Sequence, residues 1–280
     1  MKVEFTTTQV QRLVELNAEE EIAGQAFETG EERNRFFRTA EARLVKAHKA
    51  KIDQLLRSDH KPLAVRIEEQ IKNWLTQEEG FTQVVTPTII SAAALDKMTI
   101  TKDHPLTNQV FWLDPKRCLR PMLAPNLYEV MRDLHKITKA PVRIFEAGSC
   151  FRKESQGAQH MNEFTMLNLV ELAGVEDGRQ MERLKYLAEA AMKAIGIADY
   201  ELVVEQSEVY GETIDIVADG LELASGAYGP HFLDGRWGVF DPWVGIGFGI
   251  ERIAMKMGNY QTIKRVGKSV AYIDGSPLNL

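Results

Sequence analysis

Arg143-Ile144-Phe145-Glu146-Ala147-Gly148-Ser149-Cys150-Phe151-Arg152-Lys153-Glu154, a polar loop, and His160-Met161-Asn162-Glu163-Phe164-Thr165-Met166-Leu167-Asn168 form one continuous segment with a clear architectural pattern. Its two apolar arms, rich in β-branched and aromatic residues, read as a strand and a returning strand, with the arginine of Phe151-Arg152-Lys153-Glu154 where the first strand meets the loop. A guanidinium keeps its charge at any physiological pH, and its planar fork matches phosphate oxygens. Such a fixed positive charge suits a phosphate-bearing ligand on which negative charge builds during a reaction. Asn168 adds a second signal: on an alternating strand it shares a face with Met166 and Val170, and a buried amide requires a partner.

Outward from this hairpin, β-rich segments read at 82–90, 110–113, 202–205, 213–217 and 221–227, with helices at 125–134, at 180–195 and after Gly249. Consecutive strands without regular β-α alternation predict an α+β fold, an antiparallel sheet flanked by helices. Upstream, Leu63, Ile67, Ile71, Trp74 and Leu75 recur at helical spacing until Gly80 ends the helix, and Phe81 to Pro87 follows as a strand stopped by proline. Near the C-terminus, Gly245-Ile246-Gly247-Phe248-Gly249-Ile250-Glu251-Arg252 reads as a glycine-rich strand that lets backbone lie close to a ligand, with Arg252 opening a helix beside it. The spacing GxGxGxER is neither the dinucleotide fingerprint nor a P-loop.

Residues 1–61 read as a polar helical extension, with Thr8 as a helix cap, a stripe of Val10, Leu13, Val14 and Leu16, and an uninterrupted helical run over 31–57; residues 62–280 are assigned to the catalytic domain. The net charge of −6 argues against binding nucleic acid by bulk electrostatics, but Lys46, Lys49, Lys51, Arg57, Lys61, Lys264, Arg265 and Lys268 form local basic clusters. Cys118 and Cys150 have neither a disulfide framework nor zinc-ligand spacing and read as buried small hydrophobes. No apolar run is long enough to cross a bilayer and the first residues lack a signal-peptide core, so the expected location is the cytoplasm.

The hairpin with Arg152, the helix-strand-proline unit and the GxGxGxER string together resemble the three motifs of class II aminoacyl-tRNA synthetases. Leu119-Arg120-Pro121-Met122-Leu123-Ala124-Pro125-Asn126-Leu127-Tyr128, Phe151-Arg152-Lys153-Glu154-Ser155 and Val209-Tyr210-Gly211-Glu212-Thr213-Ile214-Asp215 narrow the resemblance to the pyrrolysyl-tRNA synthetases, over residues 63–280. The short start resembles the archaeal forms that lack a separate N-terminal tRNA-binding domain.

This resemblance implies ATP and Mg²⁺ as cofactors, a pyrrolysine-specific tRNA as partner, and a homodimer built on the first motif. It implies catalytic roles for Arg152 and Arg252 on the ATP phosphates, with Glu154, His160 and Phe164 also at the nucleotide and the Phe164 ring between adenine and Arg252. Glu222 and Ser225 match the Mg²⁺ ligands. Ala124, Leu127, Tyr128, Met131, Asn168, Val170, Tyr210, Ala227, Trp243 and Gly245 match the amino-acid pocket, where Asn168 meets the substrate's side-chain amide and Tyr210 closes as a lid. A mostly apolar pocket with no acidic wall suits a long neutral lysine derivative better than lysine. Met161-Asn162 departs from the Leu-Glu common in the family, and Gly226, Tyr228 and Ala173 are expected to reshape the pocket wall. Two readings compete: a related enzyme, such as the phenylalanyl type or a tRNA-independent adenylating enzyme, and a catalytically silent synthetase-like protein. The retained Arg152 and Arg252 weigh against the second.

Overall fold

Val142, Ile144, Phe145, Leu167, Leu169 and Leu172 are buried along the two ten-residue strands Val142–Phe151 and Glu163–Leu172, the long central pair of the computed structural model, which describes residues 2–57, 60–153, 157–207 and 210–280. The chain divides into two compact units, Ala64–Ile263 and the termini Met1–Leu63 with Lys264–Leu280.

The larger unit is built on one seven-stranded sheet: β1 (Thr82–Gln83), β2 (Val142–Phe151), β3 (Glu163–Leu172), β4 (Glu201–Ser207), β5 (Gly211–Ala218), β6 (Leu221–Gly229) and β7 (Trp243–Gly249). Its order is β1-β2-β3-β7-β6-β5-β4, with every neighbouring pair antiparallel except β1 and β2. The expected α+β class is therefore observed. Helix α1 (Leu63–Gln77) buries Ile67, Ile71, Trp74 and Leu75, and Gly80 at φ +71° ends its run, as the helical spacing predicts. Helix α2 (Ala124–Thr138) packs on β2 and β3, α3 (Gln180–Ile195) on β6 and β7, and α4 (Ile250–Met257) on β3, β6 and β7. A side chain at Gly226 would place its Cβ 2.9 Å from Leu184 Cδ1, so the bare position sets how closely α3 approaches the sheet.

The segment read as one strand over 82–90 is two, β1 and Ile89–Ser91, which belong to different sheets. Pro87 has no N–H to continue a ladder. Thr86 turns instead to Glu146, giving its backbone N–H (3.1 Å) and hydroxyl (2.6 Å) to that carboxylate. Arg120 pairs with the same buried carboxylate at 2.7 Å and donates from Nε to Ser149 O at 2.9 Å, while Asn126 Nδ2 donates to Thr86 Oγ1 at 2.7 Å. This network joins the proline-stopped segment, β2 and the first turn of α2.

The smaller unit holds more than helices. The strands Val3–Glu4 and Ala26–Phe27 pair, and Phe5, Leu13, Ala18, Phe27 and Ala40 form its own core. The first helix, Thr7–Glu15, is capped by Thr6 rather than Thr8: Thr6 Oγ1 accepts from Gln9 N at 3.2 Å and Gln9 Oε1 accepts from Thr6 N at 3.0 Å. Within its stripe Val14 points outward. The helix read over 31–57 is observed as Gly30–Arg57.

Residues 264–280, assigned from sequence to the catalytic domain, fall in this unit because their polar groups bond there. Arg265 is 3% exposed and donates to the carbonyls of Val14, Glu15 and Gly275, so it is not the surface cation that its cluster predicted. His48 bonds Ser276 Oγ (3.0 Å) and Leu16 O (2.9 Å), and burial lowers its pKa. Lys46, Lys49, Arg57, Lys61, Lys264 and Lys268 are exposed. Among the described residues, no helix is long and apolar enough to cross a membrane.

Cys118 and Cys150 are buried and not joined in a disulfide, and desolvation pushes the Cys118 thiol up to about 11. Both are expected to resist a thiol-specific chromogenic reagent in the native protein and to react after unfolding in guanidinium. Replacing Glu146 by alanine would strand the Arg120 charge in the interior and is expected to destabilise the fold by about 3–5 kcal/mol in denaturant unfolding.

Candidate active site

Register across three strands makes the floor of the site. Met166, Asn168 and Val170 of β3 stand opposite Gly249, Gly247 and Gly245 of β7, and those last two stand opposite Ser225 and Ala227 of β6. Alternate residues of a strand share a face, so the three glycines remove side chains from the face that carries the Asn168 amide. A Cβ at Gly247 would lie 3.0 Å from Asn168 Nδ2, and one at Gly245 would lie 3.1 Å from Leu169 O. Above this floor is a cavity of about 330 Å³.

Helix α2 supplies one wall through Ala124, Leu127, Tyr128 and Met131, and Trp243 of β7 closes the far end. The Tyr128 and Trp243 rings meet edge to face at 5.6 Å, and Tyr210 packs edge to face on Trp243 at 6.3 Å. Burial, reinforced by its neighbours Tyr210 and Asp234, pushes the Tyr128 phenol well above its ordinary pKa, so it stays neutral; its hydroxyl donates a hydrogen bond to Asp234 Oδ1 at 2.9 Å. Burial also raises the Tyr210 phenol.

The opposite end is polar. Arg152 donates from Nε to Pro121 O at 2.9 Å, which orients the guanidinium plane, and its Cζ lies 5.3 Å from the centre of the Phe164 ring. Arg252 reaches Glu222 Oε1 at 3.3 Å and approaches His160 Nε2 at 3.5 Å. Glu251, buried in the first turn of α4, accepts from Thr165 N at 2.9 Å with both oxygens and so ties that helix to β3. Ser225 donates to Asp215 Oδ1 at 2.6 Å.

Arg152, His160, Phe164, Glu222, Ser225 and Arg252 from one group of expected residues line this cavity together with all ten of the other: Ala124, Leu127, Tyr128, Met131, Asn168, Val170, Tyr210, Ala227, Trp243 and Gly245. Glu154 lies outside the described residues. Leu106, Met122, Gln159, Leu223 and Ile263 also line the cavity, from short 3-10 turns, loops and a strand where no periodicity in the sequence marks them. Gly247 and Gly249, by contrast, were readable from their alternation with Gly245. The expected effect of Gly226 and Tyr228 on the pocket wall is not observed. Gly226 faces helix α3, and Tyr228 donates its hydroxyl to Glu212 at 3.2 Å. Met161 does line the cavity, whereas Ala173 adopts φ +57° and donates its N–H to Pro242 O at 2.8 Å beyond the end of β3.

Residues 47–212, more than half of the chain, match the tRNA synthetases class II core domain (F), and the chain belongs to the class II aminoacyl-tRNA synthetases. Two solved structures refine that class. A crystal structure of pyrrolysyl-tRNA synthetase from Desulfitobacterium hafniense is 50% identical, covers 100% of both chains and superposes with a TM-score of 0.93. A second structure of the pyrrolysyl-tRNA synthetase of Desulfitobacterium hafniense, at 50% identity, covers 99% of this chain and 98% of that one with a TM-score of 0.91. Within the class, the chain thus belongs with the pyrrolysyl-tRNA synthetases. Among curated relatives, O-phosphoserine–tRNA(Cys) ligase of Methanopyrus kandleri is 24% identical over 187 residues, 59% of this chain and 33% of that one. The chain therefore spans about a third of the length of that relative.

Proposed function

We propose that this protein activates pyrrolysine, or a similar Nε-substituted lysine, with ATP to the aminoacyl-adenylate and transfers it to a cognate tRNA. The observation that carries the substrate class is Asn168: its Oδ1 is buried and has no hydrogen-bond partner among the described residues, in a cavity whose surrounding walls are apolar. An orphaned buried amide oxygen costs about 1–3 kcal/mol, which a substrate N–H restores on binding. An Nε-acyl lysine offers that N–H at the end of a long apolar stem. The acidic groups that line the cavity among the described residues, Glu222 and Glu251, stand at its polar end beside Arg252 and Thr165 N, so neither is set among the apolar walls to neutralise a lysine ammonium.

The nucleotide end follows the same logic. Arg152 and Arg252 would hold phosphate oxygens, with Phe164 and His160 beside them, and the fixed plane of Arg152 meets the charge that develops at the α-phosphate without reorganising. Glu222 and Ser225 form an oxygen-only donor pair that fits Mg²⁺, which keeps few protein ligands and takes the rest from phosphates and water. Because the Ser225 hydroxyl proton is committed to Asp215, its oxygen presents lone pairs to a cation. When bound, Mg²⁺ supplies charge neutralisation on the phosphates. Attack by the substrate's own carboxylate needs no side-chain base.

For tRNA, the exposed Lys46, Lys49, Arg57 and Lys61 of the N-terminal region, with Lys264 and Lys268, supply a basic contact for the acceptor end and body. A homodimer is inferred on the segment around Pro87, where Val85 is 86% exposed and Ile89 is also exposed. Cytoplasmic location accords with these partners.

ATP-pyrophosphate exchange with the purified protein is expected with pyrrolysine or an Nε-carbamate lysine and not with phenylalanine, lysine or no amino acid. Exchange with phenylalanine alone would redirect the assignment to the phenylalanyl type. Arg152→Ala is expected to lower the exchange rate about 10²- to 10³-fold. Changing the anticodon of the cognate tRNA is expected to leave charging nearly unaltered; a large loss would refute recognition through the acceptor end and body.

A further inference from the structure

Asp234 is 2% exposed, and no arginine, lysine or histidine side chain pairs with it among the described residues. A buried carboxyl group without a cation is tolerated where donors occupy its oxygens. Here Oδ1 accepts from the Tyr128 hydroxyl at 2.9 Å, while Oδ2 accepts from Trp243 Nε1 at 2.8 Å and from the His231 backbone N–H at 2.5 Å. The donors come from helix α2, 106 residues away in the chain, from the start of strand β7 and from the segment between β6 and β7 that carries Asp234 itself.

Two of these donors are cavity walls, yet Asp234 itself does not line the cavity. It also underlies the seat of Tyr210, whose ring packs edge to face on Trp243 at 6.3 Å and on His231 at 6.2 Å, while the His231 ring bonds the Tyr210 backbone. A separate position is shaped around the same bond. A Cβ at Gly229 would fall 1.9 Å from Trp243 Nε1 and 2.5 Å from Asp234 Oδ2, so the residue beneath the pair has room for no side chain.

We propose that Asp234 is a positioning residue for amino-acid recognition: from behind the cavity it locks the Tyr128 and Trp243 rings in the orientation that sets the depth of the pocket and seats Tyr210 over it. The inference rests on the reading above, that this end of the cavity takes the amino acid. The chemistry is directional. The indole and the His231 backbone N–H can only donate, so Oδ2 has to stay an acceptor; an asparagine either turns an N–H against them or makes the Tyr128 hydroxyl reverse and accept, which loosens the hold on one ring or the other.

The test is amino-acid and ATP KM by pyrophosphate exchange, with thermal unfolding alongside, for Asp234→Asn, Tyr128→Phe and the double variant. Asp234→Asn is expected to raise the KM for an Nε-carbamate lysine about tenfold and to leave that for ATP within about twofold, the split expected when only amino-acid binding is lost. Tyr128→Phe alone is expected to raise the same KM by a smaller factor. In its background the effect of Asp234→Asn shrinks, because one of the bonds that it breaks is already gone. If Asp234→Asn does not fold, Tyr128→Phe is read by the same split. A folded Asp234→Asn with unaltered amino-acid KM, an equal rise for ATP, or strict additivity with Tyr128→Phe would overturn the proposal while leaving the enzymatic reading intact. Absence of exchange in the unaltered protein would overturn both.

Discussion

The site depends first on the pairing of Asn168 with Gly247 across β3 and β7. A sheet normally carries side chains on both faces, and a face covered by a helix becomes solid core. Here one strand of the covered face carries glycine at every second position, so helix α2 closes over empty space rather than over packed residues. The constraint is strict, because displacing β7 by one residue would turn Phe248 and Ile246 into the cavity, and displacing β3 by one would turn Asn168 out of it. The cavity is therefore a property of register as much as of composition.

Around that space the two ends separate by chemistry. Aromatic and aliphatic side chains from α2, β3 and β7 make the apolar end, while Arg152, Arg252, Glu222 and Ser225 gather at the other. The polar end is held by bonds to backbone: Arg152 to Pro121 O, Glu251 to Thr165 N. Such anchors fix side-chain planes at small entropic cost, because backbone is already ordered by the sheet. The buried Arg120–Glu146 pair extends this rigidity by fastening the segment that carries Pro121 to strand β2. The apolar end is held differently, through a single carboxyl group that gathers donors from three segments.

Much of this was legible residue by residue. The strand-loop-strand arrangement around Arg152, helix 180–195 and the side shared by Met166, Asn168 and Val170 follow from local patterning, and the structure agrees with each. Where reading failed, a long-range partner had overridden a local signal. Thr86 and Pro87 end one strand and direct the chain to another sheet, because Glu146, sixty residues away in sequence, takes the Thr86 donors. Arg265 sits in a run of cations that reads as surface, yet carbonyls from residues 14 and 15 draw it inside. Gly226 reads as a pocket neighbour of Ala227, but alternation turns it to helix α3.

The α+β class, the identity of the chemical groups and the family to which they belong are legible in the chain alone, because period, glycine spacing and the order of the three motifs survive without coordinates. The fold settles which of those groups share one cavity, that the Asn168 oxygen has no partner there among the described residues, and that Asp234 stands behind its wall. The physical reason is that burial and hydrogen-bond satisfaction are settled between segments distant in sequence. Asp234 lies 106 residues from Tyr128 along the chain and within hydrogen-bond distance in the fold.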